Sequence, residues 1–277
     1  MNTKQIIVIV IVVVLMGGLL ARPIKGLVDE NNGSSESAST SSSSAFNLQS
    51  VSEITKQSIN ASLAQEITAL EERLTEVSGD EKLALLEQLA QKWDDLAKFA
   101  PQGFIYEEMA EISPKFEYWL KAGDAYRGAY TNLQDTAMSA ELNRLAIRSY
   151  EKAIQLDENN LDAKTGLGAA MVTGTANPMG GIALLQEVVA KDPKNIQANK
   201  TLGLFSLQSR QFDKAIERFN TVVELNPDAE SYFYLATGYE NIGLKNEAIA
   251  AFQKSKEMAS DPTLSQFIDR RVEELSK

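Results

Sequence analysis

NIQANKTLGLFSLQSRQFDKAIERFNTVVELNP, residues 195–227, and DAESYFYLATGYENIGLKNEAIAAFQKSKEMASDP, residues 228–262, write one helical hairpin twice. Leu202-Gly203 and Leu235-Ala236 open the first helix of each copy. Ala215-Ile216 with Phe219, and Ala248-Ile249 with Phe252, mark the second. Pro227 and Pro262 close the two copies, because proline lacks the amide donor and clashes with the preceding turn. The period of about 34 residues points to a stack of helix pairs. One pair cannot bury its apolar face, so stacking is obligatory.

Small residues explain how the pairs pack. Gly203 and Ala236 on first helices, with Ala215 and Ala248 on second helices, let the two backbones approach closely, and Phe219 and Phe252 fill the space between neighbouring hairpins. The same register runs backwards through the chain. A third hairpin carries Leu167-Gly168, Gly181, Leu185 and Pro193, and its segment Thr173 to Gly181 (TGTANPMGG) reads as a projecting loop rich in turn formers. Another opens with Trp119, Ala122-Gly123 and Tyr126 and continues through Ala146, Tyr150 and Ala153, with an insertion over 131–145 that lengthens one or both helices. The most diverged copy runs from Leu83 through Leu89-Ala90, Trp93, Gln102 and Tyr106 to Pro114.

Trp119, Ala122, Gly123 and Tyr126 follow the W-x-x-L-G-x-x-Y signature with alanine in the leucine position, and the chain from about Leu83 to Pro262 resembles five tetratricopeptide repeats. Glu158 replaces the closing proline of the second unit, and Gly181 replaces the usual alanine of the third. The resemblance implies an all-α, right-handed α-solenoid over 80–262. A long helix over 48–79 precedes it and a capping helix over 263–277 follows, with Phe267, Ile268 and Val272 inward of Asp269, Arg270, Arg271 and Glu273.

Upstream, Ile6 to Ala21 is an apolar run without a charge, between a short tail (1–5) carrying Lys4 and the basic residues Arg22 and Lys25. At helical rise it spans roughly 24 Å, somewhat under a bilayer's hydrocarbon core of about 30 Å, so the flanking cations would snorkel. Leu19-Leu20-Ala21 lacks the small-x-small pattern of a cleavage site, which favours an uncleaved anchor over a signal peptide. The expected location is the cell (inner) membrane, single-pass, with the soluble part leaning outside the cytoplasm. Residues 22–47, with GSSESASTSSSS at 33–44, read as a flexible tether. Leu48 to Val77 reads as one long helix whose Leu63, Ile67, Leu70, Leu74 and Val77 repeat at coiled-coil spacing over about two heptads. It either docks on the first repeat or pairs with its own copy. Ser78-Gly79-Asp80 makes a turn in which Gly79 stops one helix and Asp80 caps the next.

The sequence has neither cysteine nor histidine, which excludes disulfides, thiolate nucleophiles, imidazole bases and zinc sites built on those ligands. A net charge of −11 argues against a nucleic-acid surface. Gly166-Leu167-Gly168 lacks the third glycine of a dinucleotide fingerprint and sits within a repeat helix. Asp94-Asp95, Glu107-Glu108 and Glu71-Glu72 are neighbours on helices and do not face each other, as an acid-base pair must. The sequence therefore reads as a non-enzyme without cofactor or metal.

What remains is a binding surface for other proteins. In the tetratricopeptide family the concave face is lined by first-helix residues. Carried over unit by unit, this gives Glu117, Lys121 and Asp124, then Gln197, Lys200, Thr201, Leu204 and Gln208, then Phe233, Tyr234, Thr237 and Asn241. Phe233 and Tyr234 are adjacent on a helix and cannot both point into one core, so one ring is expected on the concave side. With only Lys121 and Lys200 as cations in that set, the groove does not match the family members that clamp acidic chaperone C-termini. The favoured function is a membrane-tethered scaffold or adaptor similar to bacterial single-pass proteins that display such repeats. The alternative is a self-assembly module dimerising through residues 48–77.

Overall fold

The computed structural model describes residues 46–131, 133, 135–174 and 177–277. Thirteen helices, and no strand, occur among them. In chain order they are α1 (Leu48–Lys56), α2 (Ala61–Leu74), α3 (Gly79–Asp95), α4 (Phe99–Ile112), α5 (Phe116–Thr131), α6 (Thr136–Leu156), α7 (Leu161–Gly174), α8 (Pro178–Lys191), α9 (Ile196–Gln208), α10 (Phe212–Leu225), α11 (Ala229–Asn241), α12 (Lys245–Met258) and α13 (Pro262–Leu275). Five hairpins, α3/α4 through α11/α12, stack in succession, and α13 covers the last. The described residues form an all-α solenoid.

Several elements start where a polar side chain satisfies the orphan amides of the first turn. Asn195 accepts from the Ala198 amide at 2.9 Å and Asp228 from the Ser231 amide at 2.7 Å. Asp261 does the same for α13 through Thr263 at 2.8 Å. The second helices α4, α10 and α12 begin differently. Their preceding turns close with a residue in the left-handed region: Ala97 at φ 51°, Arg210 at φ 59° and Gly243 at φ 82°. There the next amide reaches back to a carbonyl near the end of the first helix, as in Lys98 to Trp93 (2.9 Å), Gln211 to Ser206 (2.8 Å) and Leu244 to Tyr239 (3.0 Å).

Buried side chains form a row of clusters along the stack. Ile67 and Leu74 of α2 pack with Leu86, Leu89 and Trp93 of α3 and with Ile105 and Met109 of α4. Tyr126, Leu142, Ala146 and Tyr150 fill the next layer. Ile182, Leu185, Val188 and Leu202 follow, and Phe219, Leu235, Phe252 and Ile268 close the row. Glycines make room for rings in these layers. A Cβ on Gly103 would lie 2.4 Å from the Tyr126 ring, and one on Gly203 would lie 2.8 Å from Phe219. These glycines, Gly103 on α4 and Gly203 on α9, thus admit an aromatic side chain, where the sequence suggested contact between backbones at Gly203.

Several expectations are corrected. Leu48 to Val77 is two helices, because Asn60 caps a new one by accepting from the Leu63 amide at 2.9 Å. Its apolar seam is already used: Ile67 and Leu74 are buried in the chain's own core, with Leu70 and Val77 packed beside them. That seam is therefore not open for pairing with a second copy. At the following turn the N-cap position belongs to Ser78, and Gly79 (φ 60°) and Asp80 already lie in α3. Thr173 to Gly181 is not a projecting loop. Thr173 and Gly174 end α7, Pro178 opens α8, and Asn177 caps α8 by accepting from the Gly180 amide at 3.3 Å. Pro262 starts α13 rather than ending α12, as proline suits a first helical turn, where no amide donor is needed. The 131–145 insertion enters mainly α6, which has 21 residues where α4, α8, α10 and α12 have 14 each.

The tail (1–5), the apolar run 6–21 and most of the tether 22–47 lie outside the described residues. The end of that tether belongs to the fold: the Phe46 ring packs edge-on against Phe104 at 5.5 Å, and Asn47 caps α1. The expected single-pass location in the cell membrane is corrected as well, since among the described residues no helix is long and apolar enough to cross a membrane.

Candidate functional site: a groove across three first helices

First helices α5, α7 and α9 lie side by side in the middle of the stack, and a groove of about 570 Å³ opens across them. Gln197, Thr201, Leu204, Phe205 and Gln208 of α9 form one wall. Ala169, Val172 and Thr173 of α7 form the floor, and Arg127, Tyr130 and Thr131 at the end of α5 form the other wall with Leu133 and Ser139. A shallower depression of about 240 Å³ shares Tyr130, Leu133, Ser139 and Thr173 with it and extends to Asn143 on α6. Asn143 is buried and donates to the Ala170 carbonyl at 3.1 Å, tying α6 to the floor helix.

The groove mixes hydrogen-bonding and apolar groups. Gln197 donates to the Thr201 hydroxyl at 3.3 Å, and Tyr130 and Thr173 hydroxyls meet at 3.4 Å across α5 and α7. Leu204, Phe205, Leu133 and Val172 supply apolar surface. Among the described lining residues Arg127 is the one charged group. Its Nε donates to the Tyr150 hydroxyl at 3.2 Å, and that hydroxyl donates to Asp124 at 2.7 Å. Burial pushes the Tyr150 phenol well above its ordinary pKa, with the Asp124 charge adding to the effect, so it stays a neutral donor. Burial alone would disfavour the Arg127 charge, but the Tyr150 oxygen and Asp124 outweigh it and raise its pKa.

Sequence-predicted residues divide into three groups. Gln197, Thr201, Leu204 and Gln208 come together on the α9 wall of this groove. Phe233, Thr237 and Asn241 instead line a separate cleft of about 560 Å³ between α11, α12 and α13, together with Phe252 and Phe267. Of the remaining five, Glu117 is exposed in the first turn of α5 and the other four make contacts within the fold. Lys200 bridges Asp228 at 3.0 Å and Glu230 at 3.5 Å. Lys121 stands over the Tyr106 ring of α4 at 5.3 Å, and Asp124 holds Tyr150. Tyr234 packs on Phe219 of the preceding hairpin at 5.3 Å and donates to Glu230 at 3.2 Å. Phe233 turns the other way, 5.6 Å from Phe252 and 5.8 Å from Phe267. The two adjacent rings also meet each other edge-on at 5.9 Å, and both pack against the same core cluster, so the expectation that they could not share one core is corrected.

Arg127, Tyr130 and Thr173 were missed in the sequence. Arg127 lies three positions after Asp124 on the same helix face, a spacing that would have found it. Thr173 was hidden by the glycines after it, which suggested a loop.

The stacked hairpins with a groove across successive first helices define a tetratricopeptide-type solenoid. The tetratricopeptide repeat family model matches residues 178–237, which span α8 to most of α11. Among solved structures the chain is similar to one described as "MamA RS-1 ArsTM double mutant", with a TM-score of 0.50 and 22% identity over 66% of this chain and 96% of that one. It is also similar to a crystal structure of MamA at 26% identity and a TM-score of 0.48, covering 61% of this chain and 94% of that one. A third is YrrB, described as a TPR protein with an unusual peptide-binding site, at 18% identity and a TM-score of 0.47 over 73% and 98% of the two chains. No curated protein sequence matches the chain.

Proposed function

We propose that this protein is a non-enzymatic scaffold that holds a peptide segment of another protein in the groove across α5, α7 and α9. The observation that supports this reading is the lining itself. Three successive first helices present apolar side chains beside amide and hydroxyl groups, which suit the side chains and backbone of an extended segment.

A display library of short random peptides selected on the full chain tests this. Leu204→Asp places an unpaired charge on the groove wall and is expected to abolish enrichment, whereas Lys152→Glu on the exposed side of α6 should leave it intact. Enrichment that survives Leu204→Asp, or is lost in Lys152→Glu alone, would move the site off the groove.

A further inference from the structure

This inference rests on the groove reading and concerns what the groove selects. The chain has 38 acidic and 27 basic residues, yet no carboxylate occurs among the described residues lining the groove and a single guanidinium does. The formal charge of the described lining is thus opposite in sign to the net charge of −11 of the chain. Arg127 is also held in place. Its Nε donates to Tyr150 at 3.2 Å, and the Tyr150 ring is fixed between α5 and α7, where a Cβ on Gly123 or Gly166 would lie 2.7 Å or 2.3 Å from it. Asp124 stands 3.9 Å from Nη2, close enough to attract the charge and too far to hydrogen-bond it. Among the described residues no acceptor lies within hydrogen-bond distance of the Nη groups. A guanidinium anchored through Nε and open at its Nη edge is arranged to meet a planar anion.

The geometry points to Arg127 as the specificity-determining residue of the groove, reading a side-chain carboxylate of the bound segment while Leu204 and Phe205 take an apolar neighbour. The occupant is thus an acidic-apolar peptide. Charge complementarity favours it, and a basic segment would face the one fixed cation.

The same peptide selection on the full chain, followed by binding measurements with one selected peptide, tests this. Wild type should enrich Asp or Glu at one position beside an apolar residue, and Arg127→Gln should lose the acidic preference while keeping the apolar one. Replacing the selected Glu by Gln in the peptide should weaken binding to wild type by about ten-fold and hardly change binding to Arg127→Gln. Arg127→Lys, which keeps the charge without the fork, should retain part of the preference. Peptides selected without an acidic position, or a Glu-to-Gln effect equal in wild type and Arg127→Gln, would overturn this role and leave the groove standing. No selection at all would overturn both. Should Arg127→Gln fail to fold, the wild-type Glu-to-Gln comparison and Arg127→Lys still decide.

Discussion

Gly181 of α8 rests directly on the backbone of Gly168 in α7: a Cβ on Gly181 would lie 2.5 Å from the Gly168 carbonyl oxygen. The contact is to backbone, which cannot rotate away as a side-chain tip can. Gly181→Ala should therefore separate the floor helix of the groove from its partner, costing about 1–3 kcal/mol in denaturant unfolding despite alanine's better helix propensity. Full stability in this variant would mean the helices do not cross at these glycines.

Tyr150 joins the core to the groove. Tyr150→Phe keeps the ring against Gly123 and Gly166 but removes the hydroxyl that donates to Asp124 and accepts from Arg127. The expected loss is about 1–2 kcal/mol, because Asp124 and the Arg127 Nε lose their partner. Wild-type unfolding free energy in Tyr150→Phe would show that these hydrogen bonds contribute nothing net.

Arg210 and Ala97 occupy left-handed backbone at turns where α11/α12 uses Gly243. Side chains pay a steric cost in that region which glycine avoids. Arg210→Gly and Ala97→Gly are each expected to raise stability by about 0.5–1 kcal/mol, and Gly243→Ala to lower it by a similar amount. Thermal melts of the three variants check the pattern, and a fall in both Gly variants would contradict it.

Asp228 caps α11 and takes the Lys200 ammonium at 3.0 Å. Burial works against its charge, but the Ser231 amide and Lys200 outweigh this and hold its carboxyl below the usual range. A depressed folded pKa means the stabilisation is complete above the ordinary carboxylate pKa and is lost as pH falls through the lower folded value. Asp228→Ala should cost about 1 kcal/mol near neutral pH, mostly from the lost cap, since the partly exposed ion pair is screened. The gap between variant and wild type should narrow in acid. A gap unchanged between neutral pH and pH well below the carboxylate range would refute the assignment.

The class of fold was legible because it depends on local and periodic information. Leu202-Gly203 with Phe219, and Leu235-Ala236 with Phe252, recur at one period, and only stacking buries such faces. Gln197, Thr201, Leu204 and Gln208, which the family resemblance implied for the concave face, share the α9 wall of the groove. Other features depended on what lies across the space between helices. Gly181 has the same composition whether it makes a loop or a helix crossing, and only the Gly168 backbone opposite it settles which. Phe233 and Tyr234 are adjacent in sequence, but Phe219 beside one ring and Phe267 beside the other, with the two rings edge-on to each other, are contacts that only the packing of neighbouring helices sets. Lys200 and Arg127 are both cations on first helices. Lys200 is matched by Asp228 from the next hairpin at 3.0 Å, whereas Arg127 is anchored by the Tyr150 hydroxyl at 3.2 Å with Asp124 at 3.9 Å from its Nη2, and the Lys200 and Tyr150 contacts depend on distances between residues far apart in the chain.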